Sequence, residues 1–124
     1  MCDKNHYNKD IYKVLFYTLR NGKAPVVEFI RSLDKTIQAK IMKTLNSLEN
    51  ENNVFREPLT KKLEDKIYEL RFFKNKSCVR ILYFFYRNKT IVLTNGFVKK
   101  GNKTPKNEIV RAMKRRKEWI EENE

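Results

Sequence analysis

Histidine, cysteine and acidic charge are all scarce in this chain of 124 residues, and each shortage closes off a class of chemistry. The single histidine, His6, stands in the opening segment MCDKNHYNKD, ahead of any patterned sequence. A histidine general base in the folded core and a Ser-His-Asp triad are thereby excluded. The two cysteines, Cys2 and Cys78, are too few for a disulfide framework. With one histidine they also fall short of the roughly four Cys or His ligands of a structural zinc site. Free thiols suit a reducing cytoplasm. No apolar run approaches the ~18 residues that a membrane span requires. Residues 1–10 have no apolar stretch of the secretory-signal kind and read as a flexible polar leader. Acidic residues number 15 against 28 lysines and arginines, a formal net charge of +13. An excess of that size points to a polyanionic partner such as RNA, DNA, a membrane surface or an acidic protein. A merely solubilising surface is the alternative.

What is present fits one domain over residues 11–124. A chain of this length buries roughly 65–70% of its unfolded surface, enough for a core without staples. Ile11 to Leu19 (IYKVLFYTL) is rich in β-branched and aromatic residues and predicts a strand, broken by Asn21-Gly22. Pro25 sits at a first helical position, followed by Val26, Phe29, Ile30 and Leu33 at helical spacing. Asp34 can cap a second helix, whose apolar stripe is Ile37, Ile41, Leu45 and Leu48. The two form an αα-hairpin. Residues 54–65 read as a loop. Strands follow at about 66–73, 78–86 and 90–98, joined by short connections at Asn75-Lys76 and Asn88-Lys89. The middle one, VRILYFFY, is almost wholly apolar or aromatic and belongs at the centre of the sheet. Thr104-Pro105 opens a last helix with Ile109, Ala112, Met113 and Ile120 on one face. The fold class is therefore α+β, in the order β-α-α-β-β-β-α, an antiparallel sheet packed with an αα-hairpin and a C-terminal helix. There is no repeat, low-complexity run or interdomain linker.

Side chains alternate along a strand. A two-residue turn at Asn75-Lys76 pairs Lys74 with Ser77 and sets Arg71 directly opposite Arg80, with Glu69 and Phe73 on the Arg71 face. A two-residue turn at Asn88-Lys89 sets Arg80 opposite Phe97, with Lys99 continuing that face. Like charges opposite one another destabilise a sheet, so this arrangement predicts an anion between them. Arginine's planar fork can hold two phosphate oxygens. Fixed cations stabilise the charge that builds on a phosphoryl group when RNA is cut by its own 2′-hydroxyl. Lys100, Lys103 and Lys106 come next, around the start of the last helix. The bland alternative makes Arg71 and Arg80 edge charges paired with Glu69 and Glu108. Tyr68, Tyr83 and Tyr86 could stack bases or donate protons but read first as core. Trp119 reads as packing, and RAMKRRK as a solvated face that adds to phosphate attraction.

The segments IYELR (67–71), RILYFF (80–85) and IVLTNGFVKKGNKTPKNEI (91–109), with Ala112 following, resemble the phage-derived HigB-like toxins of the RelE/ParE toxin–antitoxin superfamily. The resemblance implies a RelE-like fold and a cytoplasmic toxin. Its activity would be ribosome-dependent mRNA cleavage without metal or cofactor. Its inhibitor would be a cognate helix-turn-helix, HigA-like antitoxin, in a hetero-oligomer such as a heterotetramer. The family's phosphate-stabilising arginine falls on Arg80. The basic residue of the preceding strand falls on Arg71, with Glu69 beside it, and the residues after the last strand fall on Lys99 and Lys100. Lys74, Lys76, Lys103, Lys106 and Arg111 would add RNA-binding charge. Arg80→Ala is expected to spare the fold and abolish toxicity. Many members carry a Tyr or His near the start of the last helix, where this chain has GNKTPKNEI. A lysine, Glu69 or a strand tyrosine would then move protons, or charge stabilisation would carry the chemistry. A ParE-like gyrase poison that cleaves nothing, and a basic module that binds only its antitoxin, stay open.

Overall fold

The computed structural model describes residues 11–50, 60–64, 66–99 and 103–124. The leader assigned to residues 1–10 lies outside them. The elements run β1 (Lys13–Phe16), α1 (Pro25–Arg31), α2 (Lys35–Asn50), β2 (Thr60–Lys62), β3 (Tyr68–Lys74), β4 (Ser77–Tyr86), β5 (Thr90–Lys99) and α3 (Lys106–Asn123). They form one α+β domain in the expected order, with one strand added. The five-stranded sheet has the order β1-β5-β4-β3-β2.

The local signals act as their chemistry dictates. Gly22 takes φ 87° in the turn after β1, where Gly22 N–H donates to Leu19 O at 2.9 Å. Pro25 stands at the start of α1. Asp34 Oδ1 accepts from the Ile37 N–H at 3.1 Å, capping α2. β4 takes the centre of the sheet and is buried from Cys78 through Phe84.

Two features depart from the expected antiparallel sheet. β1 pairs with β5 in parallel, Lys13 beside Thr90 and Phe16 beside Leu93. The helical hairpin that follows β1 carries the chain over the sheet, and β4 already occupies the far side of β5. The stretch expected to be loop contains β2, which pairs antiparallel with β3, Lys61 opposite Glu69. A three-residue strand reading Thr-Lys-Lys has no apolar alternation to reveal it. Short, lysine-rich strands of this kind protect sheet edges.

The register at β4–β5 is reached by an unexpected route. Tyr86 pairs with Thr90, so the connection has three residues, Arg87 to Lys89. Asn88 and Lys89 both take positive φ there, 56° and 54°. A bulge then places Leu82 opposite Asn95 and Tyr83 opposite Leu93. The extra residue, Thr94, restores Arg80 to its place opposite Phe97. The bulge is held from both sides. Thr94 Oγ1 donates to Leu82 O at 3.2 Å, and Arg115 Nη1 donates to Thr94 O at 3.0 Å.

Helices cover the two faces unequally. Val26, Ile30, Ile37, Ile41, Leu45 and Leu48 from α1 and α2 pack on Leu70, Phe72, Val79, Ile81, Tyr83, Ile91 and Leu93. Each large side chain fully buried there contributes about 1.5–3 kcal/mol. On the other face Ala112, Trp119 and Ile120 of α3 pack with Ile67, Leu82, Phe84, Val92 and Phe97. Trp119 meets Tyr86 edge-on at 4.8 Å between ring centroids. Met113, expected on this face, is exposed. Tyr17 Oη donates to Glu118 Oε1 at 2.7 Å and ties α3 to the end of β1. Burial and the neighbouring Glu118 carboxylate hold the Tyr17 hydroxyl above its ordinary pKa. Because α3 begins only at Lys106, no described helix covers the other end of this face. That end carries Arg71, Phe73, Cys78, Arg80 and Lys99.

Candidate phosphate-binding cavity

The open end forms a cavity of about 460 Å³ lined by Lys61, Arg71, Phe73, Asn75, Lys76, Ser77, Cys78, Arg80 and Lys99. Its making follows from strand pairing. Asn75 takes φ 54°, a conformation asparagine tolerates, and the two-residue turn it opens pairs Lys74 with Ser77. Arg71 then faces Arg80, and Lys99 lies one pair further along, opposite Cys78. Lys61 enters from β2, so four adjacent strands each supply one cation. Lys76 adds a fifth from the turn. Among the described residues no carboxylate lines the cavity.

Arg80 forms its inner wall and is only 3% exposed. Behind it Glu69 is 1% exposed and does not line the cavity. Arg80 Nη1 stands 3.8 Å from Glu69 Oε2 and donates to Thr104 Oγ1 at 3.2 Å. Thr104 Oγ1 in turn donates to Glu69 Oε1 at 2.7 Å. The hydroxyl that was expected to cap α3 is thus engaged in a buried ion pair instead. The cap position is Pro105, which makes no side-chain cap bond. Glu69 offsets part of the repulsion between the facing arginines and fixes the guanidinium in place.

This pairing realises half of the bland alternative. Glu69 does pair with Arg80, but Glu108 turns elsewhere, accepting from Asn95 Nδ2 and Arg111 Nη1, each at 2.9 Å. The pairing also bears on Arg80→Ala, which takes away one half of a buried ion pair. Removing one partner of a buried pair strands the other charge, at a cost of about 3–5 kcal/mol.

The remaining candidates are distributed unevenly. Lys76 and Lys99 line the cavity with Arg71 and Arg80. Lys103 lines an adjoining hollow of about 230 Å³ with Lys61, Lys62 and Thr104, so Lys61 joins the two hollows. Lys106 is exposed at the first turn of α3. Lys74 does not reach the cavity. It lies on the α1–α2 face and pairs with Asp34, whose carboxyl that bond and the Ile37 N–H hold below the usual range. Arg111 lies a turn beyond Lys106, in a separate hollow with Tyr17, Lys114 and Arg115. Lys100 falls outside the described residues.

The strand tyrosines do not line the cavity. Tyr68 stacks on Tyr83 on the opposite face, with ring centroids 5.6 Å apart, and Tyr86 packs on Trp119. Apart from the arginines, the titratable side chains on the cavity wall are Lys61, Lys76, Lys99 and the Cys78 thiol, among the described residues. Sequence reading passed over Lys61, which belonged to an apparent loop, and the bridging role of Thr104, whose capping signature is indistinguishable from it in sequence. Among the described residues no cluster of His, Cys, Asp and Glu is arranged to hold a metal ion, and no helix is long and apolar enough to cross a membrane.

No curated protein matches the chain. The family described as phage derived protein Gp49-like (DUF891) matches residues 28–117, a span running from α1 through most of α3 and containing the whole cavity. The chain belongs to the Gp49-like family of phage-derived proteins.

Proposed function

We propose that this chain is the toxin of a type II toxin–antitoxin module, acting as a metal-independent mRNA endoribonuclease on the ribosome. The observation that carries the reading is the gathering of Lys61, Arg71, Lys76, Arg80 and Lys99 around one cavity with no acidic side chain on its wall among the described residues. A phosphodiester seated there meets cations from four strands that the fold has already positioned. As the 2′-hydroxyl attacks, negative charge grows on the non-bridging oxygens, and these cations stabilise the transition state more than the ground state. Arg80, held by Thr104 and Glu69, is the fixed element. Lys61, Lys76 and Lys99, as ammonium groups, can protonate the leaving 5′-oxygen, while the attacking 2′-hydroxyl gives up its proton to solvent. Glu69 serves as a positioning residue for Arg80. A cognate HigA-like antitoxin neutralises the toxin in a hetero-oligomer in the cytoplasm.

Inducing the chain without its antitoxin and mapping mRNA 5′ ends by primer extension tests the reading. New ends within translated codons are expected, and Lys99→Ala should remove them. Intact mRNA together with double-strand DNA breaks would instead identify a gyrase poison.

A further inference from the structure

We propose that Phe73 is a stacking platform for an unpaired nucleobase adjacent to the phosphate in the cationic cavity, so that the site selects single-stranded over duplex nucleic acid. This rests on the reading of the cavity as a nucleic-acid phosphate site. Phe73 lies in β3, yet it is 52% exposed and belongs to neither core cluster. Strand alternation puts it on the Arg71 face, directly opposite Cys78, and its ring lines the cavity beside the cations. Its backbone is fixed by the β3–β4 ladder and by Lys40 Nζ, which donates to Phe73 O at 3.2 Å. The strand beneath the ring is therefore held in place.

A half-exposed phenylalanine on a wall that carries five Arg and Lys side chains gains little from packing, and inorganic phosphate would make no use of it. A nucleotide uses both kinds of group, its phosphate on the guanidinium and ammonium groups and its base on the ring. Aromatic faces set among cations are how single strands are held irrespective of sequence. In a duplex the base faces are already stacked on one another and offer the ring nothing.

Binding of the full chain to labelled DNA oligonucleotides, which lack the 2′-hydroxyl and survive the measurement, tests the assignment by fluorescence anisotropy. Three probes are needed: a single strand, the same strand made abasic, and a duplex. Phe73→Leu should weaken single-strand binding about tenfold while leaving abasic and duplex binding unchanged, and Phe73→Trp should keep the wild-type affinity. Equal affinity of Phe73→Leu and wild type for the single strand overturns the proposal. So does an equal loss on all three probes, or a Phe73→Trp variant as weak as Phe73→Leu. Should the wild-type chain cut no RNA while the base-dependent affinity persists, the nuclease reading fails and the stacking role stands.

Discussion

Arg80, on the inner wall of the cavity, and Glu69, behind it, stand with 3.8 Å between Nη1 and Oε2, both almost fully buried. A buried pair is costly to assemble and more costly to break, because the surviving partner keeps its charge in a low-dielectric site. Arg80→Ala and Glu69→Ala are each expected to lower unfolding free energy by about 3–5 kcal/mol. The double replacement Arg80→Met with Glu69→Leu should recover most of that loss yet abolish RNA cleavage. Urea denaturation of the three variants is the check. Single-variant losses below about 1 kcal/mol would place the pair in an effectively aqueous environment.

Thr104 joins the two charges through one hydroxyl. Thr104→Val keeps the shape and removes the bridge, leaving an acceptor of Glu69 unsatisfied at a cost of about 1–3 kcal/mol. Cleavage should slow as well, since Arg80 loses the contact that orients it, while Thr104→Ser should preserve both properties. Thermal unfolding and a primer-extension time course would separate the stability effect from the rate effect. A Thr104→Val chain cutting at the wild-type rate would remove Thr104 from the positioning of Arg80.

The core of this arrangement was legible in the sequence because it depends only on alternation and on the length of one turn. Asn75-Lys76 sets the β3–β4 register, and Arg71 opposite Arg80 follows. The agreement at Phe97 has a different basis. One added residue in the Arg87–Lys89 connection and one in the Thr94 bulge compensate each other. Neither is visible in the sequence, because Asn88-Lys89 suits a two-residue turn as well as a three-residue one and β4 is apolar on both faces. Lys61 was hidden because β2, a Thr-Lys-Lys strand with no apolar face of its own, shows itself only through its pairing with β3 among the described residues. Burial of Arg80 and Glu69 could not be read from alternation, which assigns a face but not the depth at which a residue lies on it.

The cations differ in place, which gives a sharper test than their number. Lys61, Lys76 and Lys99 line the cavity, whereas Lys74 and Arg111 are held elsewhere by Asp34 and Glu108. Replacing Lys61, Lys76 or Lys99 by Ala should change stability by no more than about 0.5 kcal/mol. Each should weaken RNA binding and lower its salt dependence by about one counterion. Lys74→Ala and Arg111→Ala should leave the salt slope almost unchanged. Titrations with an RNA oligonucleotide at several salt concentrations would decide, and equal effects from all five would mean that a diffuse surface, not the cavity, binds RNA.

Gly96 shows how closely the site's scaffold is packed. A Cβ at this position would stand 2.4 Å from Phe29 Cδ2, so the β5 backbone and the α1 ring approach as only glycine permits. Gly96→Ala is expected to cost about 1–3 kcal/mol by overpacking. Phe29→Leu should relieve the clash, making the double variant more stable than Gly96→Ala alone. A non-additive cycle in urea is the expected signature. Additive losses would show that the strain is absorbed without Phe29.

Asp34 lies on the opposite face and reports on the α2 start without touching the cavity. Its bonds to Lys74 and to the Ile37 N–H depress its carboxyl pKa in the folded chain. Below about pH 4, the ordinary range of an unfolded Asp, the unfolded chain takes up its proton before the folded one does. Stability should therefore rise with pH through this window, hold above it, and fall as acid protonates the folded carboxyl. Asp34→Asn keeps a capping oxygen and removes the titration, so its denaturation midpoint should show a weaker dependence between pH 5 and pH 3 than wild type. Parallel pH profiles for the two chains would mean that solvent screens the Lys74 bond completely, leaving the cap alone to hold the start of α2.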